Sequence, residues 1–129
     1  MEESNQDKSC KTPRWRLLKG QLSNLSQAAF KEKMTESEII ILDVRTAQEY
    51  QMAHIPEAIH INYFAEDFWD AVEKLDNTKD ILVYCRTGRR SIRACTLMKN
   101  GGFDTNKVFN LEGGFTEWLT NYPDTVSKS

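Results

Sequence analysis

The sequence predicts an α/β fold: one domain on a mainly parallel central sheet, with helices flanking both faces. Three observations lead there. Ile39-Ile40-Ile41-Leu42 and Ile81-Leu82-Val83-Tyr84 are continuous apolar runs rich in β-branched residues, the pattern of strands covered on both sides. Helical stretches of roughly 10–15 residues separate such runs, which implies βαβ crossovers rather than hairpins. The chain has 129 residues, 40% of them hydrophobic and 28% charged, enough for one globular domain. That composition excludes a collagen-like, mucin-like or wholly disordered chain.

Taken in order, residues 1–16 are expected to form a polar tail, 17–125 the domain and 126–129 a short C-terminal tail. Ser23 or Ser26 is placed to cap a helix running through Met34, with Leu25, Ala28, Ala29 and Phe30 as its apolar stripe. After the first strand run, Thr46 caps a helical turn through Met52, and Ile59 to Ile61 is a brief extended piece. Phe64, Phe68, Val72 and Leu75 recur at helical spacing and predict a helix over 63–75. The second strand run precedes a helix from Ser91 to Asn100, closed by Gly101-Gly102. Lys107 to Asn110 is a third strand, followed by a Gly-Gly turn and a helix from about Phe115 to Tyr122.

Several function classes drop out. Apolar runs such as Ile39 to Leu42 fall far short of the roughly 20 residues a membrane span needs. A net charge of −2 is too balanced for a protein that coats nucleic acid. No apolar segment near Met1 resembles a secretion signal, so the expected compartment is the cytoplasm, where thiols stay reduced. Cys10, Cys85 and Cys95 fit neither a zinc spacing nor a Cys-x-x-Cys motif; no metal and no cofactor is expected.

The chemistry concentrates at one strand end, because ligands of parallel sheets bind outside the carboxyl ends of the strands. Cys85 directly follows the second strand run, and Arg86-Thr87-Gly88-Arg89-Arg90 leads into a helix opened by Ser91. A loop entering a helix aims backbone N–H groups and the positive end of the dipole at one point. The arginines deepen that potential, and Gly88 lets the loop bend. A nucleophilic thiolate beside an anion pocket is the expected result. The bland alternatives are a core cysteine beside a solvated arginine face, or a basic recognition helix for nucleic acid; strand-end position argues against the first and balanced charge against the second. A Walker loop is excluded, since Gly88 has no partner glycine or following lysine.

Cys85-Arg86-Thr87-Gly88-Arg89-Arg90-Ser91 resembles the active loop of the rhodanese-like sulfurtransferases, whose single-domain members often read Cys-x-x-Gly-x-Arg-Ser. Leu42-Asp43-Val44-Arg45, then Glu49-Tyr50 and His54-Ile55-Pro56-Glu57-Ala58-Ile59, is similar to that family's first signature. Asn110-Leu111-Glu112-Gly113-Gly114-Phe115 with Trp118 is similar to its last one. The resemblance implies a single rhodanese-like domain and a persulfide cycle: Cys85 takes the outer sulfur of thiosulfate or a related anionic donor and passes it to cyanide or a thiol, small or protein-borne. It implies Cys85 as nucleophile and the loop Arg86, Thr87, Gly88, Arg89, Arg90 and Ser91 as sulfur and anion cradle, with Arg86 and Arg90 favoured over Arg89 for donor binding. No nucleic-acid or membrane partner is implied.

Two rivals share the fold: a cysteine phosphatase or arsenate reductase, and a non-catalytic regulatory module. Phosphatase loops read Cys-x5-Arg, whereas Cys85 to Arg90 gives Cys-x4-Arg, a cradle sized for one sulfur; regulatory modules typically lack the cysteine. Thr87 stands where thiosulfate-preferring relatives often have Lys, and Ala53 and Glu57 replace common glycines. Asp43 and Arg45 are read as structural support, a buried charge network that positions neighbouring loops. His54 is read as structural, His60 as surface or turn, Cys95 and Trp118 as core, and Cys10 as inert. Phe64, Phe68 and Trp69 are read as core before substrate wall.

Overall fold

Five strands, all parallel, form one sheet in the order β1-β5-β4-β2-β3. In the computed structural model, residues 14–127 are described. The elements are α1 (Arg14–Lys19), β1 (Ser23–Leu25), α2 (Gln27–Lys33), β2 (Ile39–Asp43), α3 (Ala47–Met52), β3 (Ile59–His60), α4 (Phe68–Val72), β4 (Asp80–Tyr84), α5 (Arg89–Asn100), β5 (Val108–Leu111) and α6 (Gly114–Asn121). The central strands pair in the register Ile40–Ile81 and Leu42–Val83, with Val83 opposite Asn110 on the other side.

The alternation along β4 sorts the core into two layers. Ile81, Val83 and Cys85 pack with Leu42, Val44, Phe68, Val72, Ala94, Cys95 and Met98, between the sheet and α4 and α5. Leu82 and Tyr84 turn the other way, onto Ile41, Phe30, Leu111, Phe115 and Trp118 beneath α2 and α6. Helices on both faces explain why β2 is apolar from Ile39 to Leu42 and β4 from Ile81 to Tyr84, with an aspartate only at one end of each. Trp118 is fully buried, and its indole N–H donates to Thr125 Oγ1 at 2.9 Å, so its one polar group is satisfied. The path from β2 leads to β3 on one side and that from β4 to β5 on the other, so a crevice opens at the strand ends between them.

Four sequence expectations need correction. Ser23–Leu25 is a strand paired with Phe109–Leu111, not the start of a helix; the helix cap is Ser26, whose side chain accepts from the Ala29 N–H. The helix over 63–75 shrinks to α4, because Asn62 Oδ1 takes the Phe64 N–H and the chain turns through 62–65 before any helical turn forms. Phe64 is consequently 65% exposed rather than core. α5 opens at Arg89, with Gly88 rather than Ser91 at its start. The expected tail boundaries do not hold: Arg14 to Arg16 belong to α1, and Ser127 exchanges two backbone hydrogen bonds with His54. Cys10 lies outside the described residues. Among the described residues, no helix is long and apolar enough to cross a membrane.

Candidate active site

The chain leaves β4 at Tyr84 and turns immediately into the Cys85–Arg90 loop. Cys85 is 0% exposed, enclosed by its own loop rather than standing at its mouth. The Gly88 N–H donates to Cys85 Sγ at 3.0 Å. Gly88 has φ +104°, and a Cβ there would meet nothing closer than 3.9 Å, so conformation and not crowding requires glycine. The loop carbonyls are tied outward to α6: the Phe115 N–H donates to the Cys85 carbonyl (2.8 Å) and the Thr116 N–H to the Arg86 carbonyl (3.0 Å). In a trans peptide the N–H points opposite to the C=O, so anchoring those carbonyls on α6 turns the following N–H groups inward. The first turn of α6 thereby spends its free donors on shaping the sulfur cradle.

The three loop arginines are held differently, two of them against Glu49 and one against Trp15. Arg90 forms a bidentate pair with Glu49 at 2.9 and 3.1 Å, and its side chain is 18% exposed. Glu49 also closes the capping box of α3 with Thr46. The Arg90 hydrogen bond holds the Glu49 carboxyl down to about 2, against the opposing effect of burial. Arg86 is 66% exposed, with Glu49 at 3.8 Å as its nearest acidic partner. Arg89 lies over the Trp15 indole at 4.9 Å.

Beneath the loop, Asp43 and Arg45 are 0% and 3% exposed. Arg45 Nε and Nη2 donate to the Asp43 carboxylate at 2.8–3.1 Å, and Nη2 also donates to the Ala53 carbonyl at 2.6 Å. The Tyr84 hydroxyl donates to Asp43 Oδ2 (2.7 Å) and accepts from the Ile55 N–H (3.1 Å), and burial followed by the Asp43 charge pushes its ionisation up. Every contact of this pair is internal, binding β2 and β4 to the 53–55 segment. A second buried relay runs from Ser91 Oγ to Asn110 Oδ1 (2.6 Å), from Asn110 Nδ2 to Asn24 Oδ1 (3.0 Å), and from Asn24 Nδ2 to the Lys19 carbonyl (2.9 Å).

A family model for the rhodanese-like domain matches residues 26–121. The chain belongs to the rhodanese-like family. It is 35% identical over 99 residues to the putative sulfurtransferase YtwF of Bacillus subtilis, covering 76% of this chain and 91% of that protein. It is 34% identical over 94 residues to the thiosulfate sulfurtransferase GlpE of Pseudomonas savastanoi, covering 72% and 84% respectively. A rhodanese-like domain protein from Staphylococcus aureus superimposes with a TM-score of 0.70 at 25% identity, covering 84% of this chain and 99% of that one.

Within this rhodanese-like domain the loop residues 86–91 stand next to Cys85, and their side chains have partners that differ from the expectation. Arg90, expected to face a donor, is committed to Glu49, and Arg89, ranked below it, borders an open cleft together with Arg86 and Thr87. Ser91 is fully buried, and its hydroxyl donates to Asn110 Oδ1 at 2.6 Å with the Gly88 carbonyl at 3.1 Å, so it braces the loop from behind. His60 is not at the surface: it sits on β3, half-buried and stacked on Tyr50, with Nε2 donating to the Arg45 carbonyl at 2.7 Å. His54 Nδ1 donates to the Tyr50 carbonyl at 2.8 Å, as a structural residue does. Cys95 is core, its thiol pushed up by burial and then by the Cys85 charge. Phe64 stands 5.7 Å from the Arg90 guanidinium, exposed at the rim. Glu49, Trp15, Asn24 and Asn110 were not singled out as site residues; only Glu49 carried a signal, three residues after the Thr46 cap. Among the described residues, no cluster of three metal-ligating side chains occurs.

Proposed function

We propose that the protein is a sulfurtransferase that carries sulfur on Cys85 as a persulfide. The observation that carries this reading is the Gly88 N–H at 3.0 Å from Cys85 Sγ, inside a loop whose carbonyls are tied outward to α6. Such a cradle stabilises negative charge on sulfur before and after transfer. The thiolate attacks the outer sulfur of thiosulfate, the donor's S–S bond breaks, and sulfite leaves with the electron pair. An acceptor, cyanide or a thiol, then attacks the outer sulfur of the persulfide and Cys85 departs as thiolate. Both steps use only the electron pairs of sulfur and acceptor, so no cofactor enters.

The side chains divide the work. Arg86, exposed and held by one long contact, is the cation for a dianionic donor. Arg90, fixed by Glu49, is a positioning residue that supports the loop and adds positive field. Thr87 and Arg89 complete the outer rim, while Asp43 and Arg45 hold the floor. The Cys85–Arg90 spacing leaves a ring for one sulfur rather than for the three equatorial oxygens of a phosphoryl group.

Intact mass tests the cycle. Thiosulfate is expected to add one sulfur atom, cyanide to remove it, and Cys85→Ser to stay folded yet take up none. Sulfur that maps to Cys95 or Cys10, or that never adds, overturns the reading.

A further inference from the structure

α1 lies outside the residues that match the family model, yet it builds one wall of a cleft of about 590 Å³ against the active loop. Trp15 and Lys19 supply that wall; Arg86, Gly88 and Arg89 supply the other, with Glu112 at the end. Gly88 lines the cleft and its N–H donates to the buried Cys85 Sγ, so the cleft and the sulfur share one loop residue. The wall is fixed in place. The Lys19 carbonyl is the terminus of the buried Ser91–Asn110–Asn24 relay, and Lys19 Nζ pairs with Glu112.

The chemistry of the cleft is anionic recognition over an aromatic surface. Three cations, Lys19, Arg86 and Arg89, face one carboxylate, Glu112. The half-buried Trp15 indole is flanked by the guanidiniums of Arg16 and Arg89, at 5.2 and 4.9 Å from its centroid. That contact orients Arg89 toward the cleft rather than leaving it free in solvent. Among the described residues, Arg16 and Arg89 have no carboxylate at ion-pair distance. A space this large and this positive exceeds what cyanide or thiosulfate needs.

We infer that this cleft is the acceptor subsite, and that α1 selects a low-molecular-weight thiol bearing carboxylates. The inference rests on the sulfurtransferase reading and adds the acceptor's class. The acceptor's carboxylates lie against Arg89 and Arg86, and its thiolate attacks the outer sulfur of the Cys85 persulfide. The S–S bond to Sγ breaks, the acceptor leaves as a persulfide, and Cys85 keeps the electron pair, with no net oxidation.

The test uses three probe thiols on the full chain: mercaptosuccinate (two carboxylates), 2-mercaptoethanol (neutral) and cysteamine (cationic). After thiosulfate loading, single-turnover decay of the persulfide, corrected for each thiol's ionisation, gives a selectivity ratio. Wild type is expected to favour mercaptosuccinate over both others. In Trp15→Ala and in Arg89→Gln the ratio of mercaptosuccinate to 2-mercaptoethanol falls about fivefold, the loss expected for one partly exposed charge contact. Added salt lowers the ratio in wild type more than in either variant. Independently of loading, titrating reduced protein with mercaptosuccinate shifts the Trp15 indole N–H resonance but not those of Trp69 and Trp118, which lie outside the cleft. A ratio equal in wild type and variants, or a stationary Trp15 signal, overturns the acceptor subsite. Failure of thiosulfate to load any sulfur instead overturns the sulfurtransferase reading, and the titration still decides the cleft.

Discussion

Replacing Gly114 with alanine tests whether α6 shapes the sulfur cradle. A Cβ at Gly114 would stand 2.5 Å from the Arg86 carbonyl oxygen, 2.7 Å from its carbon and 2.8 Å from the Cys85 carbonyl oxygen. All three are backbone atoms of the active loop, so no side chain can swing away. α6 cannot retreat either, because Trp118 and Phe115 lock it in the core. The loop must therefore move by about 0.7 Å to reach even a tight contact, more than the roughly 0.5 Å a catalytic arrangement tolerates. Losing the hydrogen bonds from Phe115 and Thr116 costs about 1 kcal/mol each. A non-glycine residue at φ +66° adds about 1 kcal/mol. We expect Gly114→Ala to lose about 2–3 kcal/mol of stability by denaturant titration and about 10–100-fold in sulfur transfer from thiosulfate to cyanide. Gly113→Ala is the matched control. Its φ of +80° costs about the same strain, but the three atoms nearest its Cβ belong to the carboxylate of the exposed Glu117, which can rotate into solvent. It should lose about 1 kcal/mol and keep activity within about twofold of wild type. Near-normal turnover in Gly114→Ala, or equal losses in both variants, would refute the anchoring of the loop by α6.

The Glu49–Arg90 pair and the Glu57 backbone give two further tests. Glu49→Gln keeps a capping-box acceptor but removes the charge from Arg90, so at pH 7 it should cost about 1–2 kcal/mol, discounted for the partly exposed setting. The folded carboxyl sits at about 2, below its usual 4.5. Its contribution is complete above pH 4.5 and fades as pH falls toward 2, so denaturant midpoints of wild type and variant should converge over that window. Glu57 is the non-glycine residue with positive φ among those described, at +69°, and it is exposed. Glu57→Gly should stabilise the protein by about 0.5–1 kcal/mol, visible as a rise of about 2–4 °C in Tm; a fall would mean the side chain outweighs the strain.

Local signals carried most of the fold. β2 and β4 were legible because strands covered on both faces carry unbroken apolar runs, Ile39 to Leu42 and Ile81 to Tyr84, and α3 because Thr46 and Glu49 form a capping box within one turn. β1 was not, because Ser23-Asn24-Leu25 has no strand pattern of its own; its pairing with β5 and the Asn24–Asn110 hydrogen bond make it a strand. The helix over 63–75 failed for the opposite reason: its apolar spacing is helical, but the Asn62 side chain captures the Phe64 N–H and starts a turn instead. At the site, Cys85 and Gly88 follow from a strand running into a helix, and Asp43 with Arg45 from two charges two residues apart at the end of a buried strand. The roles of the arginines did not follow, because Arg90 meets Glu49 across 41 residues and Arg89 meets Trp15 across most of the chain.

That division of partners separates what must stay constant from what can vary. The cradle around Cys85 depends on α5, on α6 through two backbone hydrogen bonds, and on α3 through Glu49, all within the segment that matches the family. Arg89 alone among the loop arginines takes its partner from α1, outside that segment. Changes in α1 can therefore retune which molecule approaches the loop without moving the sulfur. Changes at Gly114 or Glu49 reach the sulfur's own donors and cannot be confined to specificity. A loss in transfer from Gly114→Ala shared by every acceptor, beside a loss in Trp15→Ala confined to carboxylate-bearing thiols, is the pattern this arrangement requires.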